Sequence, residues 1–485
     1  MLPKRLLFLL FASLCSSLLA TSPAFAQTSE TGLPPFGSFQ GGKFDLVSLE
    51  NGNLHIEIPI YSVHQRAFPD QTYNSVYDIP GWQIDKSPTS PTTFQWIVAP
   101  APHQLSGWHL LTNLVGPWHV DHDIVAKTCT YVVDGFTYTQ NYNVHTNYAL
   151  TDSHGTTHPF EVRHVDQPGS GCADPVGNQN TGIALDGSGI TIAIGSNAYS
   201  TTISMPNDYG PLNGNSFTTS GISETDQNDS NGHLITTTWT YTDSNGASQQ
   251  IRVDYAPISF LTHFCTILNV GSSPCTEYGV TSQLPQKLTL PTGKFYLFTW
   301  STDGNGDLLR LDLPTGGYIG YTYQTYTKFL GTTYSGGTDG TGKGIGSPSD
   351  HYRGRRQVTS RTVSDGSTAN TWMYNGGTIT DPLGNAEVHG FTAFGDPPDP
   401  PRVETQILYY QGSATSGTLL KTINKDYAYE ASTFVSDAID HGDINLRLIR
   451  ETTILEDGNT QSKVETDYET FQTTRTISRG ISCGK

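Results

Sequence analysis

The stretch over residues 288–323 decides the fold and reads LTLPTGKFYLFTWSTDGNGDLLRLDLPTGGYIGYTY. Three segments within it are rich in β-forming residues and change faces with period two: residues 294–300, 308–313 and 318–323. The connections over 303–307 and 314–317 contain the Asp, Asn, Gly and Pro residues that tight turns favour. The stretch therefore predicts three antiparallel strands in a β-meander.

Aromatic side chains fall on both faces of the first and third segments. Phe295 points away from Tyr296 and Phe298, and Tyr318 lies on the face opposite to Tyr321. We therefore expect a sheet that is covered on both sides, as in an elongated β-roll.

The rest of the chain carries the same signals. Asn-Gly and Asp-Gly steps, which tolerate the positive φ of two-residue hairpin turns, each occur six times. Further strands are predicted over residues 53–60, 189–194 and 235–241. Gly supplies 50 of 485 residues and charged residues only 14%, which disfavours long helices. The predicted class is all-β with very little helix, and residues 434–440 are a weak helix candidate.

Stretches rich in Gly, Ser or Pro divide the chain. Three stretches are predicted to be boundaries or long loops: residues 205–230, residues 331–350 and the proline cluster over 396–401. The predicted segments are a signal peptide (1–26), an N-terminal β-sandwich-like domain (27–204), a second β segment with a disulfide hairpin (205–285), a repeat-like β-meander sheet (286–430) and C-terminal strands that begin further repeats (431–485).

The N-terminus has the three parts of a secretory signal. Lys4 and Arg5 precede an apolar run over residues 6–20, and Ala24-Phe25-Ala26 provides a cleavage site. The apolar run is too short to span a bilayer. We expect a chain that is secreted or resident in the cell envelope, with no membrane span after cleavage.

The net charge restricts the classes of binding partner, and the cysteines indicate disulfides and not a zinc site. The formal net charge is −18 at pH 7, which repels phosphate backbones and excludes nucleic acid as a favoured partner. Five cysteines follow the signal segment, and none forms a zinc-type cluster. In an oxidising compartment Cys265 can pair with Cys275 and Cys129 with Cys172, which leaves Cys483 over.

Three patches resemble secreted rearrangement-hotspot (RHS), or YD-repeat, proteins: residues 288–323, DPLGN over 381–385 and LENGNLHIEIPI over 49–60. The resemblance implies repeats that wind into a hollow β shell, which can enclose a C-terminal toxin or present a surface to sugars and neighbouring cells. Because the chain shows only one or two good repeat units, it resembles the N-terminal portion or a truncated member of that family.

Candidate chemistry is sparse. Asp303, Asn305 and Asp307 have the spacing that begins a calcium loop, but Pro314 occupies the position of the bidentate Glu. These residues are therefore weak metal candidates, and the alternative interpretation is a polar hairpin turn without a metal. No G-x-S-x-G nucleophile motif occurs, and we assign neither catalytic residues nor a cofactor.

The leading functional hypothesis is a non-enzymatic secreted structural or interaction protein of RHS type, with glycans or cell-surface proteins as partners. The second is an extracellular carbohydrate-binding β protein, and the third is a secreted glycan-acting hydrolase. Seven tryptophans form the pool of sugar-stacking platforms: Trp82, Trp96, Trp108, Trp118, Trp239, Trp300 and Trp372.

Overall fold

A computed structural model describes the backbone of residues 33, 36–63, 71–86, 94–98, 108–112, 119–152, 156–166, 174, 177–204, 222–243, 245–265, 275–334, 348–393, 402–431, 443–456, 458 and 460–467. Within these residues the chain forms strands, turns and irregular segments and no helix, so the all-β prediction is confirmed. The helix candidate over 434–440 lies outside the described residues.

Thirty strands follow one another along the described chain. The first fourteen are β1 Phe39–Gly41, β2 Asp45–Ser48, β3 Leu54–Val63, β4 Gln71–Asp78, β5 Gly81–Lys86, β6 Phe94–Val98, β7 Trp108–Thr112, β8 His119–Val133, β9 Phe136–Thr151, β10 Thr157–Phe160, β11 His164–Val165, β12 Thr181–Ile183, β13 Thr191–Ile194 and β14 Thr201–Ser204. The others are β15 Ile222–Asn228, β16 Leu234–Thr242, β17 Ser248–Leu261, β18 Cys275–Thr276, β19 Gly279–Thr289, β20 Phe295–Trp300, β21 Leu308–Asp312, β22 Tyr318–Tyr334, β23 Pro348–Ser364, β24 Ala369–Asn375, β25 Thr378–Thr380, β26 Ala386–Ala393, β27 Arg402–Gln411, β28 Thr418–Ala431, β29 Asp443–Leu455 and β30 Gln461–Glu465.

The large sheet contains 18 of these strands. Consecutive strands from β15 onward form an antiparallel meander, and β5 and β6 join it from the N-terminal part of the chain, with β6 parallel to β18. Its centre is the stretch over 288–323, which forms β20, β21 and the start of β22 as predicted. The long strand β23 pairs with β22 on one side, and on the other it pairs with both β24 and the N-terminal β5. The β5 ladder ties the N-terminal third of the chain into the large sheet.

A second sheet, in the order β1-β2-β3-β4-β7, packs against the large one. Both sheets contribute to one apolar core, which joins residues such as Leu54 and Ile56 to Leu308 and Leu311. Ring contacts cross the same boundary, for example Trp108 with Phe298 at 4.9 Å between centroids. These two sheets therefore share their principal core rather than each burying its own.

Residues of β8–β14 form a separate lobe with its own small core. The long β8–β9 hairpin pairs with β10 and β11, while β12, β13 and β14 form a three-stranded sheet. Tyr148, Leu150 and Ile192 are among the residues buried between them. The turn at Gly187 approaches β29, since a Cβ built there would lie 2.5 Å from the Leu446 carbonyl oxygen.

The expectation that the meander is covered on both faces is wrong in part. In β20 the side chains of Tyr296, Phe298 and Trp300 are buried, whereas Phe295 on the opposite face is 43% exposed. Basic side chains cover the outer aromatics instead of a second protein layer: Lys287 Nζ lies 4.4 Å from the centre of the Phe295 ring, and Arg310 Cζ lies 3.7 Å from that of Tyr318.

Cys265 and Cys275 lie at disulfide distance, with 1.97 Å between their sulfur atoms. Cys172 and Cys483 lie outside the described residues, so the pairing of Cys129 with Cys172 stays a prediction. Across the described ranges there is no helix that is long and apolar enough to cross a membrane.

Candidate functional site

The seven tryptophans differ in how far their side chains are buried. Five of them are 7% exposed or less and belong to the shared core: Trp82, Trp96, Trp108, Trp239 and Trp300. Trp118 lies outside the described residues. Trp372 on β24 is half-buried and lines a cavity of about 530 Å³, which we call the Trp372 cavity. It is therefore the tryptophan that the structure presents for ligand contact.

The cavity lies where β1 approaches the β24–β28 part of the large sheet. Its walls combine aromatic, aliphatic, amide and carboxylate side chains from six elements and one turn: Gln40, Trp372, Ile379, Asp381, Asn385, Ala386, Glu387, Tyr409, Tyr410, Gln411 and Leu420. A volume of several hundred Å³ with a few convergent polar groups is typical of small-molecule sites.

Strand register places the central wall residues on one face. Ile379 pairs with Glu387, and Glu387 pairs with Tyr409 on the next strand. Opposed residues of an antiparallel pair point to the same side of the sheet, so these three side chains form a row. Lys421 continues the row, and its Nζ lies 3.8 Å from the centre of the Tyr409 ring.

Next to Trp372 lies a buried group that we call the buried joint. It consists of Asp45 of β2 and Arg361 of β23, which form an ion pair, and Tyr321 of β22, which is hydrogen-bonded to Asp45. Arg361 Nη2 donates to Asp45 Oδ1 at 2.7 Å, and the Tyr321 hydroxyl donates to Asp45 Oδ2 at 2.9 Å. The Arg361 guanidinium lies 5.6 Å from the Trp372 ring centre. Tyr374 adds a hydrogen bond to Gln40 of β1. The joint thus fixes both the N-terminal strands and Trp372.

A row of charges runs beside the aromatic wall. His389 lies two residues from Glu387 on β26, with its Nε2 3.3 Å from Glu387 Oε1 and its Nδ1 2.5 Å from Glu404 Oε1. Glu404 also pairs with Lys425 and accepts a hydrogen bond from the Ser38 hydroxyl at 2.6 Å. Glu404 is 3% exposed, so its charge is compensated inside the protein.

These contacts set the protonation states. Burial alone would lower the pKa of His389, but the two carboxylates outweigh burial and leave that pKa raised. Burial alone would raise the pKa of Glu404, yet His389, Lys425 and Ser38 bring it down to about 2. The pKa of Glu387 is also lowered, because His389 and the Tyr409 hydroxyl offset its burial.

The turn that carries the DPLGN residues supplies the polar rim. Asp381 accepts hydrogen bonds from the backbone N–H of Leu383 and of Asn385, and from Asn385 Nδ2 at 2.9 Å. These donors more than offset burial and hold the pKa of Asp381 below its ordinary value. The Asn385 side chain also accepts from the Gly412 N–H. The rim is thus a fixed turn with its amide and carboxylate groups held in place.

The weak metal candidates do not converge on a common centre. The Asp307 carboxylate is buried against Arg356, whose Nη2 lies 2.6 Å from Oδ2. Asp303 instead accepts hydrogen bonds from Asn305, both from its backbone N–H and from its side chain. In the part of the chain that the structure describes, no group of three or more His, Cys, Asp or Glu residues is arranged to hold a metal ion.

Sequence reasoning missed the cavity because its parts are far apart in the chain. Glu387, His389 and Tyr409 were not singled out, since single acidic, histidine and tyrosine residues carry no motif. The alternation of Glu387 and His389 along one strand does place both on one face. The contact between His389 and Glu404 can be inferred only from the β26–β27 register, which has an irregularity between Gly390 and Phe391.

Neither a search of protein-family models nor a search of curated proteins returned a match to this chain.

Proposed function

We propose that the protein is a secreted, non-enzymatic interaction protein of RHS or YD-repeat type, and that the Trp372 cavity binds a carbohydrate. The observation that carries the proposal is the cavity of about 530 Å³ in which Trp372 and Tyr409 lie beside carboxylate and amide groups. Sugars present apolar C–H faces and polar edges, so they are bound by aromatic side chains set beside hydrogen-bonding groups.

The extracellular part of the proposal is supported by the sequence of the first 26 residues and by the Cys265–Cys275 pair, because disulfides persist in oxidising compartments. The family part is supported by the resemblance of residues 288–323 and by the meander that these residues form.

Electrostatics favour binding over hydrolysis. A glycosidase needs one carboxylic acid with a raised pKa to protonate the leaving group. Both acidic residues in the cavity wall, Asp381 and Glu387, have lowered pKa values and are ionised at neutral pH. Glu404, the nearest additional carboxylate in the charge row, is held by Lys425 and Ser38 and does not line the cavity. Within the described part of this cavity, no carboxylate therefore has the raised pKa that the acid of a hydrolase needs.

A glycan array with the chain from residue 27 onward tests the proposal. We expect specific binding in the micromolar range, and we expect Trp372→Ala and Tyr409→Ala to weaken it by about tenfold or more, as loss of a central aromatic contact does. Tyr199→Ala removes an aromatic side chain that is 71% exposed outside the cavity and serves as the matched control.

Circular dichroism and thermal unfolding of each variant establish that the fold is kept, since Trp372 also contacts Arg361. Failure of the native chain to retain any glycan, or equal binding by Trp372→Ala and wild type, would refute the carbohydrate proposal. Release of new reducing ends from a bound glycan would instead favour the hydrolase hypothesis.

A further inference from the structure

The β8–β9 hairpin ends in an exposed tip that the Trp372 cavity does not involve. We call residues 131–138 the hairpin tip. β10 and β11 pair with β9 only between Val144 and Thr151, so among the described residues the ladder near the turn consists of β8 and β9 alone. Asp134 and Gly135 form the turn with φ values of 52° and 81°, as a two-residue hairpin turn requires.

Large apolar side chains cluster at this tip in water. Val132 is 66% exposed, Val133 46% and Phe136 69%. Isolated exposed apolar residues are ordinary on protein surfaces, whereas a contiguous group marks an interaction site. The group here consists of neighbouring rungs, because Val133 pairs with Phe136 and Val132 pairs with Thr137.

Apolar side chains occur on both faces of the tip, although unequally. Val133 and Phe136 share one face with the Tyr131–Tyr138 rung, and Val132 lies on the other face beside Thr137. Val132 and Val133 are consecutive in one strand and therefore point to opposite faces of the ribbon. A protein partner that docks on a two-stranded ribbon covers one face. A surrounding apolar medium covers both.

The side chains also change along the ribbon, from apolar residues at the turn to tyrosine and then threonine further away. Behind the apolar rungs, Tyr131 and Tyr138 pair and stack with 5.6 Å between ring centroids. The next rung is Thr130 with Thr139, and polar side chains continue from there. Tyrosine is favoured at the level of lipid headgroups, where its ring is in apolar surroundings and its hydroxyl in water. Three rungs at about 3.4 Å each reach roughly 10 Å, the depth to which interfacial segments enter a bilayer.

We propose that the hairpin tip inserts into the interface of a zwitterionic lipid bilayer. Val132, Val133 and Phe136 enter the acyl boundary, and the Tyr131–Tyr138 rung lies among the headgroups. The acidic charge of the whole chain disfavours anionic lipid, which sets the choice of a phosphatidylcholine surface. Asp134 lies at the apex, beyond these side chains, so its carboxylate opposes insertion and restricts the tip to the boundary with the headgroups, since a carboxylate in hydrocarbon is costly.

Flotation of the chain from residue 27 onward with phosphatidylcholine vesicles in 0.15 M salt tests this proposal. We expect the wild type to float with the vesicles, with little change at higher salt because the contact is apolar. Phe136→Ser should lower the partition coefficient by about tenfold and Val132→Thr by about threefold. Val464→Thr changes a valine of similar exposure, 61%, on β30 and should leave partitioning unchanged.

Asp134→Asn supplies a test in the opposite direction. Asn-Gly is a preferred turn pair, so the hairpin is kept while the apical charge is removed. We expect partitioning to rise by about threefold or more. This gain distinguishes lipid insertion from general loss of structure in the other variants.

Three results overturn the proposal: absence of the wild type from the floated fraction, equal partitioning of Phe136→Ser and wild type, or a dimer in sedimentation velocity that Phe136→Ser dissociates. The last of these would assign the tip to a second copy of the chain. Vesicles of pure phosphatidylcholine carry no sugar, so the outcome is independent of glycan binding in the Trp372 cavity.

Discussion

At the buried joint, two charged side chains and a tyrosine hydroxyl are sealed between the N-terminal sheet and the large sheet. The Asp45 side chain is 0% exposed and that of Arg361 5%. At the hairpin tip the reverse holds, because apolar side chains lie in water and Phe136 is 69% exposed. Both regions are built from antiparallel strands, so strand formation alone does not set their character. The joint holds the two sheets together, whereas the tip exposes its apolar side chains to solvent.

The largest effect is expected at the buried joint. Arg361→Met removes the guanidinium but leaves Asp45 buried and without its charge partner. We expect the free energy of unfolding, measured with urea, to fall by about 3–5 kcal/mol, the usual cost of leaving one partner of a buried pair. Gly42 also loses the Arg361 guanidinium that lies against it, so β1 and β2 should exchange amide hydrogens faster.

Arg310→Met is the matched control, because the Arg310–Asp312 pair is 44% and 29% exposed. Exposed pairs contribute at most about 1 kcal/mol. The double substitution Asp45→Leu with Arg361→Met should recover much of the loss, since no charge remains buried. Equal destabilisation by Arg361→Met and Arg310→Met would show that the joint does not hold the sheets.

Local signals explain what the sequence could predict of this fold. The strand predicted over 53–60 is β3, that over 235–241 is β16, and the turn over 303–307 joins β20 to β21. Each depends on neighbours a few residues apart, through side-chain alternation and turn-forming residues. Coverage of both faces was predicted from aromatic content alone, and it fails where Lys287 and Arg310 cover the outer rings.

Long-range pairing explains what the sequence could not predict. The Asp45–Arg361 hydrogen bond joins residues 316 positions apart, and Gln40 meets Tyr374 across 334. No local pattern marks Asp45 as buried or Glu404 as the partner of His389. The Trp372 cavity therefore needed the sheet register and the position of β1, while the hairpin tip was encoded locally by Asp134-Gly135 and its flanking strands.

A second, smaller effect is expected in acid. The folded-state pKa of Glu404, about 2, lies below its ordinary value of 4.5, so the ionised form is favoured by folding. Its contribution to stability is fully present above pH 4.5 and is lost as the pH falls toward 2. Urea unfolding across that interval should show declining stability in wild type and a shallower decline in Glu404→Gln.

Glu465→Gln on the exposed strand β30 is the control for this pH dependence, since its side chain is 58% exposed. Because Glu404 holds Ser38 next to β1, acid should also increase hydrogen exchange in β1 before it does so in the β8–β9 hairpin. If the free energy of unfolding of Glu404→Gln changed with pH in parallel with that of wild type, Glu404 would not contribute to the contact between the two sheets.

The smallest effect is expected at the hairpin tip. Gly135 has a φ of 81°, and a Cβ built there meets no atom within 4 Å, so Gly135→Ala costs only the left-handed backbone conformation, about 1 kcal/mol. Since the tip is a two-stranded ribbon outside the cores, this cost should appear as local opening in hydrogen exchange of β8 and β9, with the global unfolding midpoint unchanged.

Gly306→Ala is the contrast: φ is +69°, and the new Cβ would lie 2.0 Å from the buried Phe260 ring, so the global midpoint should fall. A global loss with Gly135→Ala would mean that the tip is coupled to the cores, and the separation between joint and tip would not hold.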